Sequence, residues 1–354
     1  MRNLFLVFCL LILAVFPTLA QEKQPKPLTQ MEFVQLLYQL PKNPAKKDEL
    51  VETIRRRGID FVLTGGLKGL VATKSGNDAT LRRTLEEAER RRLNPTTSQL
   101  PSEKEANEVL AKSRELTLQA VDEMPDFVVR QVIARSYAYA GTENWQTADR
   151  LTVAVSYREK EGEEYRLLSL NGVPQPEKPQ KKSYEEVGGT SSTGEFVTVL
   201  NTIFKPESET KFSVLDTDTL RERRTIVFNY EITREKAKQL IVSSGLVSDS
   251  TVTGMKGRLW IDRENFRVLR VESIATEIPA NFPIRAASRV IDYDWVTLSD
   301  QKFLLPLFSD VRLTSRQDRE LIESRNEIRF RNYQKYSSSV QVLDDGEEVK
   351  EDKP

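Results

Sequence analysis

One change of pattern governs what this chain can fold into. Up to Pro125 the apolar residues recur at helical spacing, and from Phe127 to Tyr333 they alternate with polar ones at period two. The alternation is clearest at Leu151, Val153, Val155 and Tyr157 and again at Ile226, Phe228, Tyr230 and Ile232. It predicts strands over 127–139, 150–158, 163–170, 210–217, 223–233, 255–262, 267–276, 287–297, 302–314 and 321–333, with one more over 239–246. One face of these strands is apolar and the other mostly polar, the pattern of an antiparallel sheet covered on a single side. About eleven strands after a run of helices make the fold class α+β.

The helical part divides in two. Thr29 and Glu32 are spaced as a capping box, Leu28 and Phe33 as a hydrophobic staple, and Phe33, Leu36, Leu37 and Leu40 form a stripe that stops at Pro41. A second helix from Ala45 carries Leu50, Val51 and Ile54 and ends at Arg55-Arg56-Arg57 and Gly58. An apolar segment over 61–71 leads to a further helix from Asp78 with Leu81, Leu85 and Ala88 on one side. Residues 28–93 therefore read as a small helical module. Its basic clusters alternate with acids at i,i+4 (Arg82/Glu86, Arg83/Glu87, Glu86/Arg90, Glu87/Arg91), the pattern of an ion-paired, solvated face and not of a nucleic-acid site. Residues 94–101 form a linker. Ser102 and Glu105 then cap a long helix whose stripe is Ala106, Val109, Leu110, Leu116, Ala120, Val121 and Met124.

Past the third strand the alternation is interrupted. A Pro/Lys stretch (174–182) and a Gly/Ser/Thr loop (188–194) are followed by Ser192 and Glu195 at capping-box spacing and by Phe196, Val199, Leu200 and Ile203 in i, i+3, i+4, i+7 register. That spacing predicts a helix over 195–204 that lies on an apolar surface, with the loop before it as a hinge.

The first residues are a targeting signal: Arg2, an apolar run from Leu4 to Phe16, and small residues at Thr18-Leu19-Ala20 predict cleavage before Gln21. The run falls short of the roughly 20 residues that span a bilayer. Residues 21–27 form a polar tether, and 337–354 end in an acidic tail expected to be disordered. The single cysteine, Cys9, lies inside the leader, and the chain has no histidine. The exported chain is thus without disulfides, thiolate or imidazole metal ligands, and Ser-His or Cys-His nucleophiles. With equal numbers of acidic and basic residues, no global field recruits nucleic acid.

The most specific piece is the hairpin Gly257-Arg258-Leu259-Trp260-Ile261-Asp262-Arg263-Glu264-Asn265-Phe266-Arg267-Val268-Leu269-Arg270. Together with Asn171-Gly172 after the third strand and Phe330-Arg331-Asn332-Tyr333 in the last, it resembles the LolA/LolB and MucB/RseB-like group of periplasmic lipoprotein-sorting and lipid-binding proteins over residues 102–336. The resemblance implies a half-barrel whose curved sheet holds a lipid or lipoprotein acyl chain under a helical lid, a periplasmic location, peripheral contact with a membrane and an envelope protein as partner. The module at 28–93 is not part of that pattern.

The concave face of such a sheet must be filled by side chains, by helices or by a ligand. Phe228, Tyr230, Trp260, Tyr293, Trp295 and Phe303 are the candidates for its wall, and Phe196, Val199, Leu200 and Ile203 for the lid. The six wall candidates also fit the commoner arrangement, an ordinary core, since aromatic residues at alternating strand positions are what any sheet core contains. Two function classes remain open: a non-catalytic binder of an apolar ligand, and an envelope interaction protein with a packed cavity that engages its partner through residues 28–93. No cofactor or metal is expected. The one carboxylate pair with catalytic spacing, Asp292 and Asp294 on one strand face, equally fits a solvated face, and Asp216 and Asp218 fall where a turn is expected.

Overall fold

The computed structural model describes residues 26–43, 45–95, 98–175, 190–191, 193–196, 198–243, 249–317 and 319–336. The leader, most of the tether, Ser192 and the acidic tail lie outside the described residues. The chain forms two units, Met1–Arg92 and Leu93–Pro354.

In the first unit, α1 (Gln30–Leu37) starts where the capping box places it: the Thr29 hydroxyl accepts from Glu32 N–H and the Glu32 carboxylate accepts from Thr29 N–H at 2.9 Å. Leu28 and Phe33 are fully buried around that turn. α2 (Lys46–Arg57) buries Leu50, Val51 and Ile54 and closes on Gly58 at φ 68°. The apolar segment 61–71 belongs largely to a helix, α3 (Gly65–Ser75), capped by the Thr64 hydroxyl. Gly65, Gly66 and Gly69 hide its helical period. α4 (Ala79–Leu93) begins on the Asp78 carboxylate, which accepts from Leu81 N–H at 2.7 Å. Its charged side is not the solvated face expected: Glu87 is buried and pairs with Arg90 at 2.7 Å, and Glu89 accepts from Leu63 N–H.

The second unit opens with α5 (Glu103–Asp122), its N-terminus held by the Ser102 hydroxyl. The buried line on this helix runs through Ala106, Val109, Ser113 and Thr117, while Leu110, Leu116, Ala120 and Val121 are half-buried. Small side chains let the helix sit close to the sheet. Twelve strands follow: β1 (Phe127–Tyr139), β2 (Gln146–Arg158), β3 (Gly162–Leu170), β4 (Val173–Pro174), β5 (Lys211–Leu220), β6 (Arg223–Ile232), β7 (Gln239–Ser243), β8 (Asp249–Asp262), β9 (Val268–Thr276), β10 (Ile284–Leu298), β11 (Gln301–Gln317) and β12 (Glu320–Lys335). α6 (Thr198–Phe204) precedes β5, and the one-turn α7 (Arg234–Ala237) joins β6 to β7.

All pairings are antiparallel, and the order β4-β3-β2-β1-β12-β11-β10-β9-β8-β6-β5 leaves the curved sheet open, with β7 added beside β8. The first and last strands meet in mid-sheet. β4, absent from the predicted set, exists because Asn171 and Gly172 both take positive φ and fold the chain back in a tight hairpin. α5 and α6 pack on one face of the sheet. The opposite face is laced with ion pairs, including bidentate Arg270–Asp292 and Arg325–Asp310.

Candidate ligand site on the covered face

The strand register lays out the covered face row by row. One row runs Leu151, Ile133, Ile328, Ser309, Ile291, Val271, Leu259, Phe228 from β2 to β6 and is apolar except at Ser309. The neighbouring row runs Asp149, Arg135, Asn326, Val311, Arg289, Ser273, Gly257, Tyr230, and most of it is polar. An antiparallel sheet keeps its core face apolar, so a polar row on that face requires partners within the protein.

It has them. Arg135 grips Asp149 through two bonds. The Tyr230 hydroxyl reaches over Gly257 to Ser273 at 2.7 Å and to the Glu272 carbonyl. A Cβ on Gly257 would lie 1.8 Å from that carbonyl oxygen, so only glycine lets the ring cross. The middle of the row holds the segment before α6. Asn326 donates to the Thr190 carbonyl at 2.7 Å, Arg289 donates to the Thr193 carbonyl at 3.0 Å, and Thr190 and Ser324 share a hydrogen bond. Gly194 N–H donates to Glu163 at 3.0 Å, and the Tyr293 hydroxyl donates to the Glu195 carbonyl. Residues 190–191 and 193–196 thus form a strap tied to β3, β10 and β12.

Burial in this seam moves proton affinities. Desolvation pushes the Glu163 carboxyl up, opposed by the Tyr165 hydroxyl that bonds to it and aided by the Glu195 charge. Burial likewise raises the Tyr293 and Tyr230 phenols, partly offset at Tyr293 by the Arg289 guanidinium.

The strap changes the expected lid. α6 starts at Thr198, and Glu195 is a buried carboxylate 3.8 Å from Arg289. Val199, Leu200 and Ile203 lie on α6 and join Phe228, Tyr230 and Tyr293 in one cluster with Ala106 and Val109 of α5. Phe196 precedes the helix and enters a different cluster, formed by Phe127, Val129, Ile133, Leu151, Val153, Val155, Ile328 and Phe330. Its ring meets Phe127 at 5.2 Å and Phe330 edge-on at 5.4 Å. Phe303 packs half-buried against this second cluster.

Two wall candidates stand elsewhere. Trp260 pairs in register with Val227 and Arg270, on the face opposite Leu259, and packs with Leu220, Val227 and Leu269 while its indole N–H donates to Asp218 at 2.9 Å. A bulky aromatic at an alternating position marks a packed face, and both faces are packed at this end of the sheet. Trp295 is 40 % exposed, with the Arg267 guanidinium 5.9 Å from its ring. Asp216 and Asp218 are buried in β5 and not in a turn. Asp292 and Asp294 face arginines: Arg270 holds Asp292 at 2.6 Å, and Arg221 reaches Asp292 at 3.9 Å and Asp294 at 3.5 Å.

Sequence reading missed Gln131, Arg135, Arg289, Ser309 and Asn326. The available signal was parity: Gln131 and Arg135 share the face of Val129 and Ile133, and Asn326 shares that of Ile328 and Phe330.

No protein-family model matches the chain, and no curated protein matches it. Among solved structures it is similar to a DUF1329 family protein from Desulfovibrio piger (11% identity, 66% of this chain and 95% of that one, TM-score 0.33). It is also similar to a LolA superfamily protein from Nitrosomonas europaea (13% identity, 63% and 94%, TM-score 0.25) and to the MucA/MucB complex of Pseudomonas aeruginosa (10% identity, 62% and 94%, TM-score 0.18). With TM-scores below 0.5, the likeness assigns neither ligand nor partner to this chain.

Proposed function

We propose that this is an exported, periplasmic, non-catalytic protein that binds an apolar ligand, a lipid or lipoprotein acyl chain, on the covered face of its sheet. The observation that carries the reading is a buried apolar wall on β1, β2 and β12 into which one ring of the strap, Phe196, inserts. Among the described residues, Met124 and Phe196 are the only members of that cluster that do not belong to the sheet. The half beneath β6, β8 and β9 is filled by α5 and by four side chains of α6. An acyl chain in place of Phe196 would gain roughly 0.8 kcal/mol per buried CH₂. Export rests on the leader at 1–20; among the described residues no helix is long and apolar enough to cross a membrane.

A second reading, an envelope interaction protein with a permanently packed face, is favoured by the near-complete burial of Phe228, Tyr230 and Tyr293 against α5 and α6. Titration with an environment-sensitive, uncharged fluorescent acylglycerol separates the two. The ligand reading expects saturable binding that unlabelled phospholipid competes away; absence of saturable binding favours the packed face.

A further inference from the structure

The covered face carries polar groups that the strap does not use. Gln131 is completely buried between Val153 and Phe330, and neither its amide oxygen nor its amide nitrogen has a hydrogen-bond partner. The Ser309 hydroxyl, in the apolar row between Ile328 and Ile291, is also completely buried and unpartnered. β1 and β11 flank β12, so these groups stand on either side of it, roughly 12 Å apart between Cα atoms, two strand spacings across and two residues along. Between them lie Ile328 and Phe330, the latter in edge contact with the Phe196 ring. An orphaned amide in a core is a standing cost that replacement by an apolar side chain would remove.

Resting on the ligand reading above, we propose that Gln131 and Ser309 are the polar contacts of the ligand site and select an amphiphile with a neutral head. The head would be an ester or amide carbonyl next to a hydroxyl or N–H, with its chain in the place of Phe196. The chemistry sets the class. A primary amide offers two N–H donors and one acceptor, and a serine hydroxyl offers both. A head that only accepts would leave the Gln131 oxygen bare. A charged head would need a counter-charge, and Arg289 and Arg135 are already engaged by Glu195 and Asp149.

The test uses the chain secreted with its own leader and two probes, 1-palmitoylglycerol and hexadecane, competed against an uncharged fluorescent monoacylglycerol. The wild type is expected to favour the glyceride at least tenfold. Gln131→Leu should erase that preference while raising Tm by about 2–8 °C, because the orphaned amide is gone. Ser309→Ala should reduce the preference in part. A Gln131→Leu protein that keeps the wild-type preference, or that melts lower, overturns the proposal and makes Gln131 a core residue satisfied within the protein. Binding of both probes with equal affinity by the wild type also overturns it while leaving the ligand reading intact. Binding of neither probe sinks the ligand reading and this proposal together.

Discussion

Replacing Phe196 with alanine tests what the strap is for. Phe196 is almost fully buried, and its ring touches Phe127 and Phe330. A buried phenylalanine removes about 200 Å² from water, worth about 5 kcal/mol at 25 cal/mol per Å², and core Phe→Ala changes cost about 3–5 kcal/mol. Taking about 4 kcal/mol, and about 2–4 °C per kcal/mol for a unit of this size, Tm should fall by about 8–16 °C. The readout is clean, since Trp145, Trp260 and Trp295, the three tryptophans of the chain, all belong to Leu93–Pro354. Tryptophan fluorescence therefore follows the sheet unit alone. Added 1-palmitoylglycerol should restore more stability to Phe196→Ala than to the wild type, because in the variant no ring must leave first. At 100 times Kd the linkage contribution is about 2.7 kcal/mol. A loss under about 1 kcal/mol, or equal stabilisation of both proteins by the lipid, would refute the role assigned to Phe196.

Further outcomes follow from the same contacts. Gly257→Ala drives a Cβ into the Glu272 carbonyl and should cost more than about 3 kcal/mol in urea denaturation, since the obstacle is backbone. Arg289→Leu removes a charge partner of the buried Glu195 carboxylate and the donor to Thr193, and should cost roughly 1–3 kcal/mol with faster proteolysis of the strap. Glu163 has its proton affinity raised in the folded state, so its contribution is fully present below the unfolded carboxyl pKa and is lost as pH rises through the folded one. Glu163→Gln, which keeps an acceptor for Gly194, should flatten the decline in stability above about pH 4.5; an unchanged pH profile counts against the buried carboxylate. Trp260→Phe should cost about 1–3 kcal/mol by removing the indole N–H that bonds to the buried Asp218 carboxylate, with acyl-probe affinity unchanged, as Trp260 lies on the other face.

Where alternation was unbroken, the fold was legible. β1 matches its predicted span, nine further strands fall within about four residues of theirs and β8 begins six residues early, because period two on a half-buried sheet depends on local side-chain order alone. Caps at Thr29 and Ser102 were legible for the same reason. Failures arose where the outcome depends on what meets what across the sheet. Ser192 and Glu195 have capping spacing, yet Glu195 faces Arg289, a residue far along the chain. Trp260 alternates like a wall residue, but which face is covered by helices is decided by α5 and α6 and not by the strand itself. The polar row was hidden in plain alternation: Arg135, Arg289 and Asn326 sit at core parity, and only strand register brings them into one line.

The most direct test of apolar-ligand binding is native mass spectrometry of the secreted chain, purified from a periplasm without detergent, with solvent extraction of anything bound. A stoichiometric adduct of lipid mass, lost on extraction and diminished in Phe196→Trp, is the predicted result. A clean apo mass that stays unchanged after addition of phospholipid and of 1-palmitoylglycerol would contradict it.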